Sequence, residues 1–291
     1  MLPVNLATIS RQDRIQLIKS ESERLIKYLG SISADAWTLP SACGLWEVRD
    51  VAAHLVMVAD LYGDTVSRGI QGDSSPTDGF PASGSLDPAS FDGLIAEKAI
   101  AIRKSEGDSL LDRLGSTWER FNLLLGSIGP EDWGKPCYHI PAVFPAERFV
   151  LNAVQELAIH EWDMRSQIEP GAPVSSATLP TLMERIPRRF GPTPGYDRFL
   201  MDSENITAVR YRFQVTGGVS GQWDIIVEEQ RARMEETIIS SADVTFQCDT
   251  STFVMLMYKR LVLDQLLDDG RISVQGHPDM VAAFNSWLKG E

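Results

Sequence analysis

Glu156 and His160, a carboxylate and an imidazole, are four positions apart in the segment VLNAVQELAIHEWDMR, residues 150–165. This spacing is close to one helical turn, so in a helix both side chains project from the same face. Asp163 follows three residues after His160, on that face. Most flanking residues are apolar, which predicts that these polar groups lie beside a buried seam. A carboxylate and an imidazole one turn apart form two thirds of an open metal site, so the third ligand must come from elsewhere.

The same residues also have ordinary structural explanations. Glu156 and His160 are compatible with a helix-stabilising pair that contributes about 0.2–0.5 kcal/mol. Asp163 is compatible with two roles. It can accept a hydrogen bond from a ligand imidazole and fix its tautomer, or it can cap or bridge helices.

Four helical segments are predicted to position these side chains. Apolar residues recur at three- and four-residue steps in each segment. The third segment is expected to break or bend near Gly107 or Gly115, and a mobile surface loop is predicted from Gly69 to Pro88. The segments are Ser10–Tyr28, Val48–Arg68, Ala89–Ser127 and the segment 150–165.

An internal repeat indicates how the helices are arranged. The motif LGSI occurs at 29–32 and again at 125–128, each time followed by a tryptophan at the same offset and then by another helix. This pattern predicts an up-and-down four-helix bundle with pseudo-twofold character. The second and fourth helices are then equivalent, so His54 can face Glu156 and His160 and supply the missing ligand. A histidine on an apolar face is also compatible with a purely structural core residue.

The second half of the chain has a different pattern. Residues 169–197 contain six prolines, which is typical of a connection between domains, and the segment LPTLMERIPRRF, residues 179–190, is compatible with a short helix within it. From about residue 206 the apolar residues alternate as in antiparallel strands, followed by a helix over 250–267, a strand over 271–276 and a final helix. We therefore predict a first domain over 1–170, a proline-rich linker over 171–200 and an α+β domain over 201–291.

Composition excludes several classes of function. The formal charge of −13 argues against nucleic-acid binding and against a membrane-surface protein, because both need concentrated Lys and Arg. No apolar run approaches the roughly 20 residues that span a bilayer, and the N-terminus lacks signal-peptide features. The three cysteines are widely spaced, as in reduced cytoplasmic proteins. Cys43 and Cys137 are expected to be buried, Trp46 to anchor a connector, and His139 to be solvated. The oligomeric state is not predicted.

Two segments carry a resemblance to a known family. The run PSACGLWEVRDVAAHL, residues 40–55, resembles the N-terminal signature of the mycothiol-dependent maleylpyruvate isomerase family. This family belongs to the DinB-like, metal-binding four-helix-bundle superfamily. Its second signature, a helix with Glu, His and then Trp-Asp, is matched by Glu156, His160, Trp162 and Asp163. The C-terminal segment looks like the sterol-carrier-type domain that is often fused to this family.

The resemblance implies a fold and a function. The implied fold class is α+β with two domains: an N-terminal up-and-down DinB-like four-helix bundle and a C-terminal α/β sterol-carrier-like domain with an antiparallel sheet. The implied cofactor is a divalent metal, most simply zinc, held by His54, Glu156 and His160. The family uses such a site to bind a low-molecular-weight thiol of the mycothiol type as thiolate, which then adds to a small electrophile. An S-transferase or isomerase is the expected enzyme.

Two other functions are compatible with the sequence. The metal would leave an open position for a water with a pKa near about 7, which would make the protein a metal-dependent hydrolase. Alternatively, the protein binds a small apolar ligand or lipid through its C-terminal domain, and the bundle is a scaffold. Arg260 and Arg271 are candidates for bringing positive charge to an anionic substrate.

Overall fold

The computed structural model describes residues 9–190, 208–228, 231–237 and 241–287, with the side chains of Arg231 and Trp287 left undescribed. The chain forms two compact units, Ile9–Thr178 and the described part of Leu179–Glu291. Within the described residues, no helix combines the length and apolar character that crossing a bilayer requires.

The first unit is helical and is described without a gap. Helices α1 and α2 each pack against both α4 and α5, which gives a four-helix bundle, while α3 packs on α2 as an additional helix. A short β-hairpin with two residues in each strand precedes α5. The elements are α1 (Arg11–Leu29), α2 (Val48–Ile70), α3 (Pro88–Glu106), α4 (Leu110–Ser127), β1 (Pro136–Cys137), β2 (Phe144–Pro145) and α5 (Glu147–Ile168).

Local signals in the sequence set the helix ends. The Ser10 side chain accepts a hydrogen bond from the Asp13 amide at the start of α1, and the Asp87 carboxylate accepts one from the Ser90 amide at the start of α3. At the start of α2, the Glu47 amide donates to the Asp50 carboxylate at 3.0 Å. These bonds satisfy amides that have no partner within the helices.

The predicted third helix is two helices in the structure. It breaks at Gly107, where φ is +52°, and a short 3-10 turn over Gly107–Ser109 leads into α4. Glycine adopts this left-handed region without the steric cost that a side chain would add. Of the two positions that the sequence suggested, Gly107 is therefore the break, whereas Gly115 lies inside α4.

The loop between α2 and α3 lies on the surface, as its composition predicted, and hydrogen bonds attach it at both ends; its mobility stays a prediction. The Arg68 side chain bonds the Asp73 carboxylate at 2.6 and 2.9 Å. At the far end, the Tyr138 hydroxyl donates to the Pro81 carbonyl, and the Gly84 amide donates to the Ile140 carbonyl. The polar loop composition therefore does not reveal the hydrogen bonds that attach the loop to α2 and to the segment around Tyr138.

The second unit contains a five-stranded sheet within its described residues, in the order β5-β4-β3-β6-β7. The Phe213 ring of the sheet stacks on Phe246 and contacts, in tilted arrangements, Phe253 and Phe284 of two helices. The elements are α6 (Leu179–Arg185), β3 (Val209–Thr216), β4 (Gly221–Glu228), β5 (Arg231–Glu236), β6 (Val244–Asp249), α7 (Thr250–Met257), α8 (Leu263–Asp268), β7 (Ser273–Gly276) and α9 (Pro278–Trp287).

The predicted fold class is confirmed, with three differences in detail. The sheet is mixed, because β3 and β6 run parallel while its other pairs are antiparallel. The predicted helix over 250–267 is two helices, separated at Lys259, which has a φ of +58°. Residues 179–190, placed in the linker by their prolines, form α6 and a 3-10 turn within the second unit, since their apolar side chains are buried. Residues 191–200 of that linker lie outside the described residues.

Candidate metal centre

The structure brings together the four residues that the sequence singled out. His54 lies on α2, and Glu156, His160 and Asp163 lie on the neighbouring helix α5. The two helices pack against each other, so a residue 102 positions earlier in the chain meets the Glu/His pair. The side chains converge between the helices, and all four are buried or half-buried.

Both imidazoles approach the same carboxylate oxygen, Oε2 of Glu156. His54 Nε2 is 3.2 Å from Glu156 Oε2, and His160 Nε2 is 3.3 Å from the same oxygen. The two imidazole rings are 4.6 Å apart in an edge-on arrangement. The ligand atoms of His54, Glu156 and His160 all lie within 4.8 Å of one another.

These separations fit a divalent metal. Zinc bonds of about 2.0–2.2 Å in a tetrahedral arrangement place ligand atoms about 3.3–3.6 Å apart. The two nitrogen–oxygen distances are within about 0.1 Å of that range. The two histidine nitrogens lie within 4.8 Å of each other, so they need to approach by at most about 1.5 Å to enclose an ion. Two imidazoles and one carboxylate are also the chemical set that zinc takes in sites with an open position.

Asp163 holds the far side of His160. Its Oδ2 is 2.9 Å from His160 Nδ1, and its side chain is fully buried. A carboxylate on Nδ1 keeps the proton there and leaves Nε2 as the nitrogen that faces Glu156 and His54. This is the arrangement usually found behind a metal-ligating histidine.

The protonation states follow from burial and from these contacts. Burial lowers the pKa of His54, so its imidazole is neutral near pH 7. Burial would raise the pKa of Glu156, but hydrogen bonds from His160 and His54 hold it well below its usual value. Burial would likewise lower the pKa of His160, yet its contacts with Asp163, Cys43 and Glu156 raise it well above. Without an ion, the centre thus holds a proton on His160 between two carboxylates.

His54 differs from His160 in its second nitrogen. His54 Nδ1 is buried and makes no hydrogen bond within the described part of the chain. The Trp46 ring lies 5.3 Å from the imidazole, tilted by 51°. His54 is therefore held by packing, whereas His160 is held by a carboxylate.

A turn over residues 41–46 closes one side of the centre and touches both histidines. The Ala42 amide donates to the Asp163 carbonyl at 2.8 Å, which attaches the turn to α5. Gly44, with a φ of +62°, allows the chain to reverse. The turn places the sulfur of the half-buried Cys43 within 4.8 Å of a His160 ring nitrogen, and Trp46 beside His54.

Three residues near this region were misjudged from the sequence. Cys43 was expected to be buried like Cys137, but it is half-buried and next to His160. Trp46 contacts His54 as well as anchoring its connector. His139 was expected to be solvated, but it packs among the rings of Tyr62, Phe144 and Phe149. The available signal was position, since Cys43 and Trp46 fall inside the same run, residues 40–55, as His54.

Arg260 and Arg271 both lie in the second unit. The Arg271 guanidinium donates to the Thr252 hydroxyl at 3.2 Å, and the Arg260 guanidinium donates to the Tyr258 carbonyl at 3.4 Å. A role for either in binding an anionic substrate stays a prediction.

Comparison with known families identifies the helical unit. The model of the mycothiol maleylpyruvate isomerase N-terminal domain matches residues 18–165, just over half of the chain. The chain belongs to this family. The isomerase-family match includes all four residues of the candidate centre, and a second model, the SCP-2 sterol transfer family, matches residues 201–289. No curated protein matches the sequence.

Solved structures agree with this family membership at the level of the fold. The mycothiol-dependent maleylpyruvate isomerase is 12% identical, with 87% of this chain and 90% of that protein covered and a TM-score of 0.60. A histidine-to-alanine mutant of this isomerase is also 12% identical, with coverages of 92% and 93% and a TM-score of 0.61. A sterol carrier protein 2 like 2 from Aedes aegypti is 21% identical, with coverages of 36% and 92% and a TM-score of 0.27.

Proposed function

We propose that this protein is a metal-dependent thiol S-transferase or isomerase. It binds one divalent metal, most simply zinc, through His54, Glu156 and His160. The metal would bind a low-molecular-weight thiol of the mycothiol type as thiolate, and the thiolate would add to a small electrophile. The thiol belongs to the proposal because mycothiol is named in the matching family and in the similar solved isomerase. A cytoplasmic location also stays a prediction from the sequence.

One observation carries the metal part of this proposal. Two imidazole nitrogens from different helices converge on a single carboxylate oxygen at 3.2 and 3.3 Å. A core histidine that is only structural needs one hydrogen-bond partner, and an i,i+4 pair within one helix needs no residue from another. Three such groups within 4.8 Å of one another, with two of the three separations near tetrahedral spacing, support a metal site.

The residues have separate tasks in this proposal. His54 and His160 present Nε2, and Glu156 presents Oε2, which leaves at least one metal position free for an exogenous ligand. Asp163 holds the proton on His160 Nδ1 and orients the ring. When bound, the metal supplies the positive charge that converts a thiol, with an ordinary pKa near about 8.5, into the nucleophilic thiolate at neutral pH.

The charges at the proposed centre nearly balance a divalent metal. Glu156 and Asp163 supply two carboxylates, so a divalent metal with neutral imidazoles would be charge-neutral. A thiolate ligand would bring the net charge to −1, after the thiol had released its proton and the metal had replaced the proton on His160 Nε2. The turn over residues 41–46 contacts both histidines, through Cys43 and Trp46.

Metal analysis of the full-length protein tests the proposal. We expect about one equivalent of zinc or a similar metal in the wild type, and a loss of that metal in His54→Ala, Glu156→Ala and His160→Ala. A thiol bound to the metal-loaded protein should stabilise it by about 2.7 kcal/mol at a hundred times its dissociation constant, which thermal-shift measurements detect.

Two results would contradict the proposal in different ways. Absence of metal in wild type and variants after loading, with equal stability, would contradict the metal site. Turnover of an activated ester or amide without added thiol, abolished by chelation, would keep the metal site and assign hydrolysis instead. Asp60→Asn is a suitable control, because Asp60 pairs with Arg113 and Arg120 on the same bundle, away from the ligands.

A further inference from the structure

A second set of ligating side chains adjoins the first and shares one residue with it. The ligand atoms of Cys43, His160 and Asp163 all lie within 4.8 Å of one another. Asp163 Oδ2 faces His160 Nδ1 at 2.9 Å, on the opposite edge of the ring from Glu156. We propose that Cys43, His160 and Asp163 form a second cation site, selective for a thiophilic divalent metal such as Cd²⁺ or Zn²⁺.

The donor types determine which ion this site takes. Its set consists of one sulfur, one nitrogen and one oxygen, whereas the first set has two nitrogens and one oxygen. A thiolate ligand favours soft and borderline metals, while a site of carboxylates and carbonyls would favour Mg²⁺ or Ca²⁺. The thiolate of Cys43 and the carboxylate of Asp163 together carry the two negative charges that balance a divalent ion.

The spacing requires only a modest rearrangement. Bonds of about 2.0–2.3 Å in a tetrahedral arrangement separate ligand atoms by about 3.3–3.7 Å. The hydrogen-bonded pair of His160 and Asp163 must open by a few tenths of an ångström, and the Cys43 sulfur must approach by at most about 1 Å. Cys43 lies on a turn beside Gly44, whose φ of +62° lies in a region that glycine adopts without steric cost.

The three groups come from places that the fold holds together. Asp163 and His160 are on one face of α5, and the turn is bonded to the same helix through Ala42 and the Asp163 carbonyl. Of the three cysteines in the chain, Cys137 and Cys248 are buried, and only Cys43 is half-buried. A metal ion therefore has access to the Cys43 thiol. Its entry releases the thiol proton and the proton on His160 Nδ1 to solvent.

This proposal does not rest on the thiol chemistry proposed above. The two sets share His160, but His54 and Glu156 belong only to the first and Cys43 only to the second. His54→Ala therefore breaks the first set and leaves the second intact, and Cys43→Ala does the reverse. Failure of one site is thus distinguishable from failure of the other.

Titration of the full-length, metal-free protein with Cd²⁺ in thiol-free buffer provides the test. A cadmium–thiolate bond has an ultraviolet charge-transfer absorption that nitrogen and oxygen ligands do not produce. We expect this absorption to saturate at one cadmium–sulfur bond in the wild type and in His54→Ala, and to be lost in Cys43→Ala and Cys43→Ser. Cys248→Ala, which removes a buried cysteine of the second unit, should retain it.

Alkylation of Cys43 by iodoacetamide gives an independent measurement. At a Cd²⁺ concentration about ten times the dissociation constant, only about one thiol in eleven is free, so the reaction should slow by about tenfold. Absence of the absorption from folded wild-type protein, or its persistence in Cys43→Ala, would overturn the proposal. An alkylation rate that Cd²⁺ leaves unchanged would overturn it too. Circular dichroism of each variant checks that the helices are intact.

Discussion

The two histidines of the centre are supported by different kinds of contact. The Asp163 carboxylate is hydrogen-bonded to Nδ1 of His160. Nδ1 of His54 is buried and has no hydrogen bond in the described part of the chain, and the Trp46 indole ring lies beside this imidazole. A hydrogen-bonded imidazole is a more basic ligand with a fixed tautomer. His160 is therefore the histidine whose orientation depends most on a single neighbouring group, Asp163.

Asp163→Asn tests that dependence. The asparagine keeps the size of the side chain but removes its negative charge, so it holds the Nδ1 proton less strongly. We expect zinc affinity to fall by about 10–100-fold while the helical circular dichroism is retained. Isothermal titration of the metal-free protein with zinc measures the change. An affinity equal to that of the Asp60→Asn control would show that the Asp163 carboxylate does not tune His160.

At the scale of the secondary-structure elements, α2 is the helix of the first unit that packs against the most neighbouring elements. It packs on α3, α4, α5 and the β1 strand, and most of its residues are buried. Its C-terminal end approaches the β1–β2 hairpin so closely that only a glycine fits. A Cβ atom on Gly69 would lie 2.3 Å from the Cys137 sulfur and 2.8 Å from the Pro136 carbonyl oxygen.

Gly69→Ala should therefore destabilise the protein, because backbone atoms of the hairpin must move to admit a methyl group. We expect the free energy of unfolding to fall by about 1–3 kcal/mol, as for other overpacked cores. Denaturant unfolding followed by circular dichroism measures it. Gly63→Ala is the matched control on the same helix. A Cβ there meets nothing within 4 Å, so the better helix propensity of alanine should stabilise by up to about 1 kcal/mol.

Helix periodicity and the internal repeat predicted the helices of the bundle and the pairing of His54 with Glu156. They did so because both patterns repeat along the chain and need no knowledge of tertiary contacts. The break at Lys259 is different. A helical apolar pattern continues through Leu256, Leu263 and Leu266, at steps of seven and three, and a lysine gives no sign of a positive φ. The role of Cys43 depended on a turn that folds back onto α5, which no local pattern indicates.

For the molecule as a whole, the two units carry different chemistry. Both candidate ion sites are built from residues of Ile9–Thr178, while the SCP-2 match covers 201–289.

The second unit contains a buried charge network of its own. The Asp224 carboxylate is fully buried and accepts hydrogen bonds from Arg212 at 2.9 and 3.0 Å, from Arg210 at 2.7 Å and from Thr237 at 2.8 Å. Arg210 and Arg212 lie on β3 and Asp224 lies on β4, so the network joins these two antiparallel strands.

Asp224→Asn should destabilise the protein in a pH-dependent way. Burial would raise the pKa of Asp224, but the hydrogen bonds from Arg212, Arg210 and Thr237 hold it below its usual value. Because the pKa of Asp224 is lower in the folded state than in the unfolded state, where it is about 3.9, the ionised carboxylate stabilises the fold above about pH 3.9. This stabilisation is lost as the pH falls through the folded-state pKa. At pH 7 the variant removes a buried carboxylate charge that accepts hydrogen bonds from Arg212 and Arg210, at a cost of about 3–5 kcal/mol.

The difference in unfolding free energy between wild type and Asp224→Asn should thus be largest near neutral pH and shrink below about pH 4. Denaturant titrations at pH 7, 5 and 3 measure it. Glu228→Gln is the control, since Glu228 pairs with Arg233 at 3.2 Å on the exposed part of the same sheet, where such a pair contributes at most about 1 kcal/mol. A difference that stays constant from pH 7 to pH 3 would mean that the carboxylate acts through its shape and hydrogen bonds, because protonation would then leave its contribution unchanged.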